Sequence, residues 1–180
     1  MKTRFAIVTI LLLCVVALGQ NAPAKPPATL RSILLEQLKT THNQKDWFVD
    51  ANTAVSGLTA EQASWSDGKG NHSVGQLTYH LLFWNQRALA RLRGETPAKF
   101  DGNNDLTFTD FDSKKWTDLQ QQLDQVMQDL EKWVENADDA QLQKAASTLA
   151  HVGTHNAYHI GEIVMVRKEQ GSWDSSKGVK

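Results

Sequence analysis

An all-α fold is what this sequence predicts: a four-helix bundle with a long crossover between its second and third helices. Three observations carry that expectation. Four stretches place apolar residues at three- and four-residue steps, the 3.6-residue period of a helix with one buried stripe. No stretch of any length alternates apolar and polar residues as a strand would, and no segment repeats another. Four such stripes are buried together when the helices turn them toward one core.

The chain has 180 residues, a length suited to one domain, and its 41% hydrophobic content is ordinary for a soluble protein. Its start differs. Residues 1–4 carry two positive charges, residues 5–18 are apolar, and Ala17-Leu18-Gly19 makes a small-residue exit, together the pattern of a secretory signal over residues 1–19. The run is short for a membrane span, and the alternative is an uncleaved anchor. A lipoprotein box is disfavoured because bulky Leu13 precedes Cys14. The expectation is cleavage after Gly19 and an exported product, periplasmic or secreted. Cys14, the single cysteine, leaves with the signal, so the mature chain has neither a disulfide nor a thiol nucleophile. Losing Lys2 and Arg4 moves the net charge from -1 to about -3, a balance without the basic face that nucleic acid requires. The expected partner is a small molecule of unknown identity, with no nucleic acid, no membrane after signal cleavage, and a homodimer left open.

Residues 20–29, QNAPAKPPAT, are rich in Pro and Ala and predict a flexible, extended linker to a domain over residues 30–178. A first helix is expected over about 30–56, where Leu30, Ile33, Leu34, Leu38, Phe48 and Val49 keep helical spacing and no proline intervenes. His42 either joins that inward face or stands at a helix boundary beside Thr41 and Lys45. Residues 58–62 read as a short helical turn, followed by Trp65 and a Gly-rich polar loop. Ser73-Val74-Gly75-Gln76 is a capping box for the second helix. Its stripe is Leu77, Leu81, Trp84, Ala88 and Leu92, and Gly94 ends it. His80 lies on the stripe side, either as a core histidine satisfied by a backbone carbonyl or as a ligand.

Residues 95–112 are long and mostly irregular, which permits a crossover rather than a tight hairpin. Asp101, Asn103 and Asp105 have the alternate spacing of a calcium loop, but Leu106 stands where its glycine belongs and no glutamate closes it. Ser113 is expected to cap a third helix over about 114–135, with Trp116, Leu119, Leu123, Val126, Met127, Leu130 and Val134 inward. Trp116 and the other five tryptophans are expected in core and rim packing. A polar turn over 138–144 precedes the fourth helix, whose stripe is Leu149, Val152, His159, Ile163 and Val166 and whose cap is Gly171.

The chemistry gathers on that last helix. His155 and His159 stand at i, i+4, about 6 Å apart along one face, where two imidazoles can grip one ion. The same spacing also serves a solvated or hydrogen-bonded pair. Burying a ring without a partner costs roughly 1–3 kcal/mol, so an inward histidine needs a side chain, a water or a metal. In a bundle His80 can approach this pair, and three imidazoles leave one coordination position open, the layout of a reactive rather than a closed structural site. Glu162, three residues past His159, is placed to hold an outer ring nitrogen or to add a ligand. His151 repeats the spacing, but its azimuth departs by about 80° from that of His159.

The segments SVGQLTYHLL (73–82) and HNAYHIGEI (155–163), with LTAEQ (58–62) before Trp65, resemble the DinB/YfiT-like superfamily, and the likeness extends over about residues 30–178. That resemblance implies a four-helix bundle holding a divalent metal, zinc or nickel, on His80 from the second helix and the His155/His159 pair from the fourth. It also implies a metal-dependent thiol S-transferase or hydrolase, in which the ion activates a thiol or water. The alternatives are a non-catalytic bundle that binds a metal or small ligand, and a metal-free structural module. Where the family often has H-R-G-Q, this chain has His159-Ile160-Gly161-Glu162. Other enzyme classes fail on inspection: no glutamate follows His155 as a zincin requires, and there is no G-x-S-x-G elbow, P-loop or dinucleotide fingerprint. No catalytic side chain can be assigned.

Overall fold

Reciprocal caps set the starts of most helices in the computed structural model, which describes residues 27–109 and 111–178. Thr29 with Ser32, Thr59 with Gln62, Ser73 with Gln76 and Asp138 with Gln141 each exchange side-chain and backbone hydrogen bonds, satisfying two otherwise orphaned N–H groups at a time. They open α1 (Leu30–His42), α3 (Ala60–Ser64), α4 (Val74–Leu92) and α7 (Asp139–Gln170). Between these lie α2 (Ala51–Val55), α5 (Leu106–Thr109) and α6 (Trp116–Asn136). Among the described residues there is no strand, and no helix is long and apolar enough to cross a membrane. The predicted signal, and the linker up to residue 26, lie outside the described residues.

The four long helices pack side by side, α1 against α6 and α7, and α4 against the same two. Their stripes meet in a core where Leu81, Leu123, Leu130, Leu142, Leu149 and Ile163 are fully buried, each side chain contributing about 1.5–3 kcal/mol. Two arginines close helix ends. Arg31 donates to the carbonyls of Val134, Glu135 and Ala137 at the end of α6, and buried Arg167 donates to those of Ala54, Ser56 and Ser172. The crossover after α4 lies back on that helix: α5 packs on it, and the Phe111 ring approaches Gly75 so closely that a Cβ there would stand 2.3 Å from it. Only glycine allows that approach.

Several expectations need correction. The helix expected over 30–56 is two helices, α1 and α2, because nothing between Leu38 and Phe48 is apolar enough to continue the stripe except exposed Trp47. The chain leaves α1 at Asn43, and Asp50 caps α2 by accepting from the Thr53 N–H. Trp47 is not packing: it is 95% exposed. The polar turn expected over 138–144 belongs to α7 itself, since Leu142 and Ala145 carry its buried stripe one turn further toward the N-terminus. Asp112, rather than Ser113, caps the entry to the third long helix, opening a 3₁₀ turn at Ser113–Lys115 before α6. In the crossover, Asp101 and Asn103 turn the chain by accepting from the N–H groups of Asn103 and Asp105.

His42 is both inward and at a helix end. Fully buried, it pairs Nδ1 with Glu131 (2.7 Å) and Nε2 with Asp124 (2.8 Å), tying α1 to α6. Burial opposes its protonation, but the hydrogen bonds and charges of Glu131 and Asp124 prevail and hold its pKa above the ordinary 6.5. A raised folded-state pKa stabilises fully below the unfolded value of about 6.5, and the contribution is lost as pH rises through the folded value. Replacing His42 by Gln should therefore destabilise the protein by about 3 kcal/mol near pH 6 and by less in mild alkali, as urea denaturation will measure. A deficit independent of pH would mean that the ring is buried neutral.

Candidate metal centre

His80 of α4 meets His155 and His159 of α7, and one ring nitrogen from each lies within 4.8 Å of the other two. The two helices run antiparallel here, with Asn85 donating to the Asn156 side chain (2.9 Å) one turn further along. His80 and His159 are buried and His155 is half-buried. Ring centroids of His80 and His155 each stand 4.6 Å from that of His159. The three expected residues are thus brought together; His151 stays exposed and His42 belongs to the α1/α6 pairing described above.

Hydrogen bonds fix which nitrogens face the common point. The Thr107 hydroxyl donates to the Asn104 carbonyl (2.6 Å), so its oxygen accepts at 2.5 Å from Nδ1–H of His80, leaving the Nε2 lone pair directed away. The Glu162 carboxylate can only accept, so it takes the Nδ1 proton of His159 at 2.6 Å and leaves that ring's Nε2 free as well. Nε2 of His80 and Nε2 of His155 are 3.1 Å apart. That separation suits a shared proton, and it also suits two lone pairs on one ion, since tetrahedral zinc bonds of about 2.05 Å hold ligand nitrogens roughly 3.3 Å apart.

Burial and neighbouring imidazoles keep two of these rings, His80 and His155, neutral. Burial, then the charges of His159, His155 and His72, push the His80 pKa down to about 3. Burial and His159 lower that of His155 to about 4, with Glu162 opposing. Two of the three are therefore in the ligand form at neutral pH. Above His80 the Phe108 ring stacks at 4.0 Å and 4°, and His72 stacks on the opposite face of Phe108 at 3.8 Å. The site opens into a cleft of about 580 Å³ between α4 and α7, with Trp84, Asn85, Asn104 and Tyr158 in its lining. Tyr158 also bonds to Glu162, which raises the phenol above its ordinary pKa.

The DinB superfamily model matches residues 49–163, more than half of the chain. The chain belongs to the DinB superfamily. The match includes all three histidines and Glu162 of this DinB member. No curated protein and no solved structure matches it. Inside the DinB match, the position after His159 is the buried Ile160, and Glu162 occupies the bond to the His159 ring.

Sequence reasoning missed Thr107, Phe108 and His72. All three lie in loops or the four-residue α5, where no period announces which way a side chain points. In the metal-free protein, Thr107→Val leaves the His80 Nδ1–H unpaired, at a cost of about 1–3 kcal/mol, whereas Thr107→Ser keeps the bond. Ring ¹⁵N shifts of His80 should report one tautomer in the wild type and in the serine variant, and a mixture in the valine variant. The same spectra should show His80 and His155 neutral down to about pH 4. Because these folded values lie below 6.5, the associated stability is present above pH 6.5 and declines as pH falls toward them.

Proposed function

We propose that this chain is an exported DinB-type metalloprotein that binds one divalent ion, zinc or nickel, through His80, His155 and His159, and acts on a small molecule. One observation carries the reading: three imidazoles from two helices offer nitrogens within 4.8 Å of one another at the wall of a small-molecule-sized cleft. The donor set fits such an ion. Imidazole suits zinc and nickel, two of the rings are held neutral, and Thr107 and Glu162 grip outer nitrogens as outer partners of metal-bound histidines do. When bound, the ion would supply Lewis acidity that makes a water or thiol nucleophilic near neutral pH, which favours thiol S-transfer or hydrolysis as the reaction class. The chain's own residues orient and shelter: Asn85 and Asn104 offer polar contacts in the cleft, and Phe108 screens His80 from water.

In this reading the four long helices form a four-helix bundle, residues 93–115 are its crossover, and the three short helices are decorations. Export rests on residues 1–19 alone, with Gln20 as the mature N-terminus. The acidic mature charge supports a small-molecule partner over nucleic acid.

Elemental analysis after supplementation with zinc or nickel should find about one equivalent per chain, and less than a tenth in the His155→Ala and His159→Ala variants. A wild type below a tenth would leave a metal-free module. A strong chelator should lower the melting temperature by several degrees at pH 7.5, since binding at a hundred times Kd stabilises by about 2.7 kcal/mol. Protons compete for each ring, so this difference should shrink as pH falls to 5. Mass spectrometry that found intact Met1 on the exported protein would overturn signal cleavage.

A further inference from the structure

The cleft beside the histidines is a groove with two chemically different ends. One wall is a single face of α4, where His80, Trp84, Ala88 and Arg91 follow at steps of four, four and three residues. The facing wall is α7, antiparallel to it, with His155 near the metal-binding end and His151 and Thr148 near the other. Eleven residues separate His80 from Arg91, a rise of about 16 Å along α4, so Arg91 stands at the far end of the groove from the histidines. Trp84, Ala88 and Val152 line the middle of the groove. Among the described residues no aspartate or glutamate lines it.

Arg91 also differs from the other arginines. Among the described residues, Arg31 is spent on carbonyls, Arg87 on the Ala98 carbonyl and the Phe83 and Phe100 rings, Arg93 on Asp129, and Arg167 on carbonyls and Trp173. The Arg91 guanidinium has, among the described residues, no hydrogen bond, ion pair or ring contact, and it lines the groove. Five donors in a planar fork are shaped for a carboxylate or another oxyanion. Exposed His151 adds two ring nitrogens at the same end.

We propose that this groove binds an elongated organic acid, with its apolar body over Trp84, Ala88 and Val152, its anionic group on Arg91 and its opposite end presented to the three histidines. The proposal deepens the functional reading above and rests on it for the reacting end; the Arg91 contact stands without a metal. Isothermal titration of the metal-free and the zinc-supplemented protein with octane-1-sulfonate tests it, because a sulfonate is a poor metal ligand and isolates the arginine end. Wild-type protein should bind the sulfonate in both states and at least tenfold more tightly than 1-octanol. Arg91→Gln should abolish that preference, while Arg93→Gln, which removes the same charge outside the groove, should leave it intact. Equal affinity for sulfonate and alcohol, no binding of either, or equal losses in the two arginine variants would overturn the assignment. Loss of zinc binding with the sulfonate preference retained would instead defeat the metal reading and leave the anion site standing.

Discussion

Polar rings buried between two helices must each find a partner, and that requirement governs this molecule. His80, His155 and His159 are taken out of water where α4 meets α7, at a cost that packing alone would not offset. The surrounding structure supplies the partners: Thr107 for His80, Glu162 for His159, and the Nε2 atoms of His80 and His155 turned on each other. Antiparallel α4 and α7, the long crossover and the glycine at position 75 are the means by which those groups arrive at one place.

The same side chain serves opposite electrostatic ends at two places in one core. His42, enclosed by Glu131 and Asp124, is held toward its charged form and acts as a cationic tie between α1 and α6. His80 and His155, enclosed by other imidazoles, are held neutral. Burial disfavours charge in both settings, and the neighbours decide the outcome. A buried histidine in this fold is thus defined by whether carboxylates or other imidazoles surround it.

The long helices were legible in the sequence because period and caps agree: Ser73 with Gln76, and the stripe from Trp116 to Val134, mark α4 and α6 to within a few residues. The i, i+4 spacing of His155 and His159 marks them as a pair, whereas the choice of His80 as their third member rests on the family resemblance. What stayed hidden depends on contacts distant in sequence. The pairing of His42 with α6 spans more than eighty residues, and the hold of Thr107 on His80 comes from a crossover that reads only as a long connection. Exposed Trp47 defeats any rule that assigns tryptophan to packing.

The crossover joins two roles usually kept apart. Its α5 is a single turn of helix, yet it carries both the hydroxyl that orients His80 and the ring that covers it. Were so short a segment to open locally, the long helices and their leucine core could stay intact, although buried Thr107 and Phe108 hold it against α4. Detachment would release the ring's orientation and uncover it to solvent in one event. The centre and the scaffold would then have separate free-energy scales, and a protein fully folded by its helix content could still hold histidines whose orientation has been released.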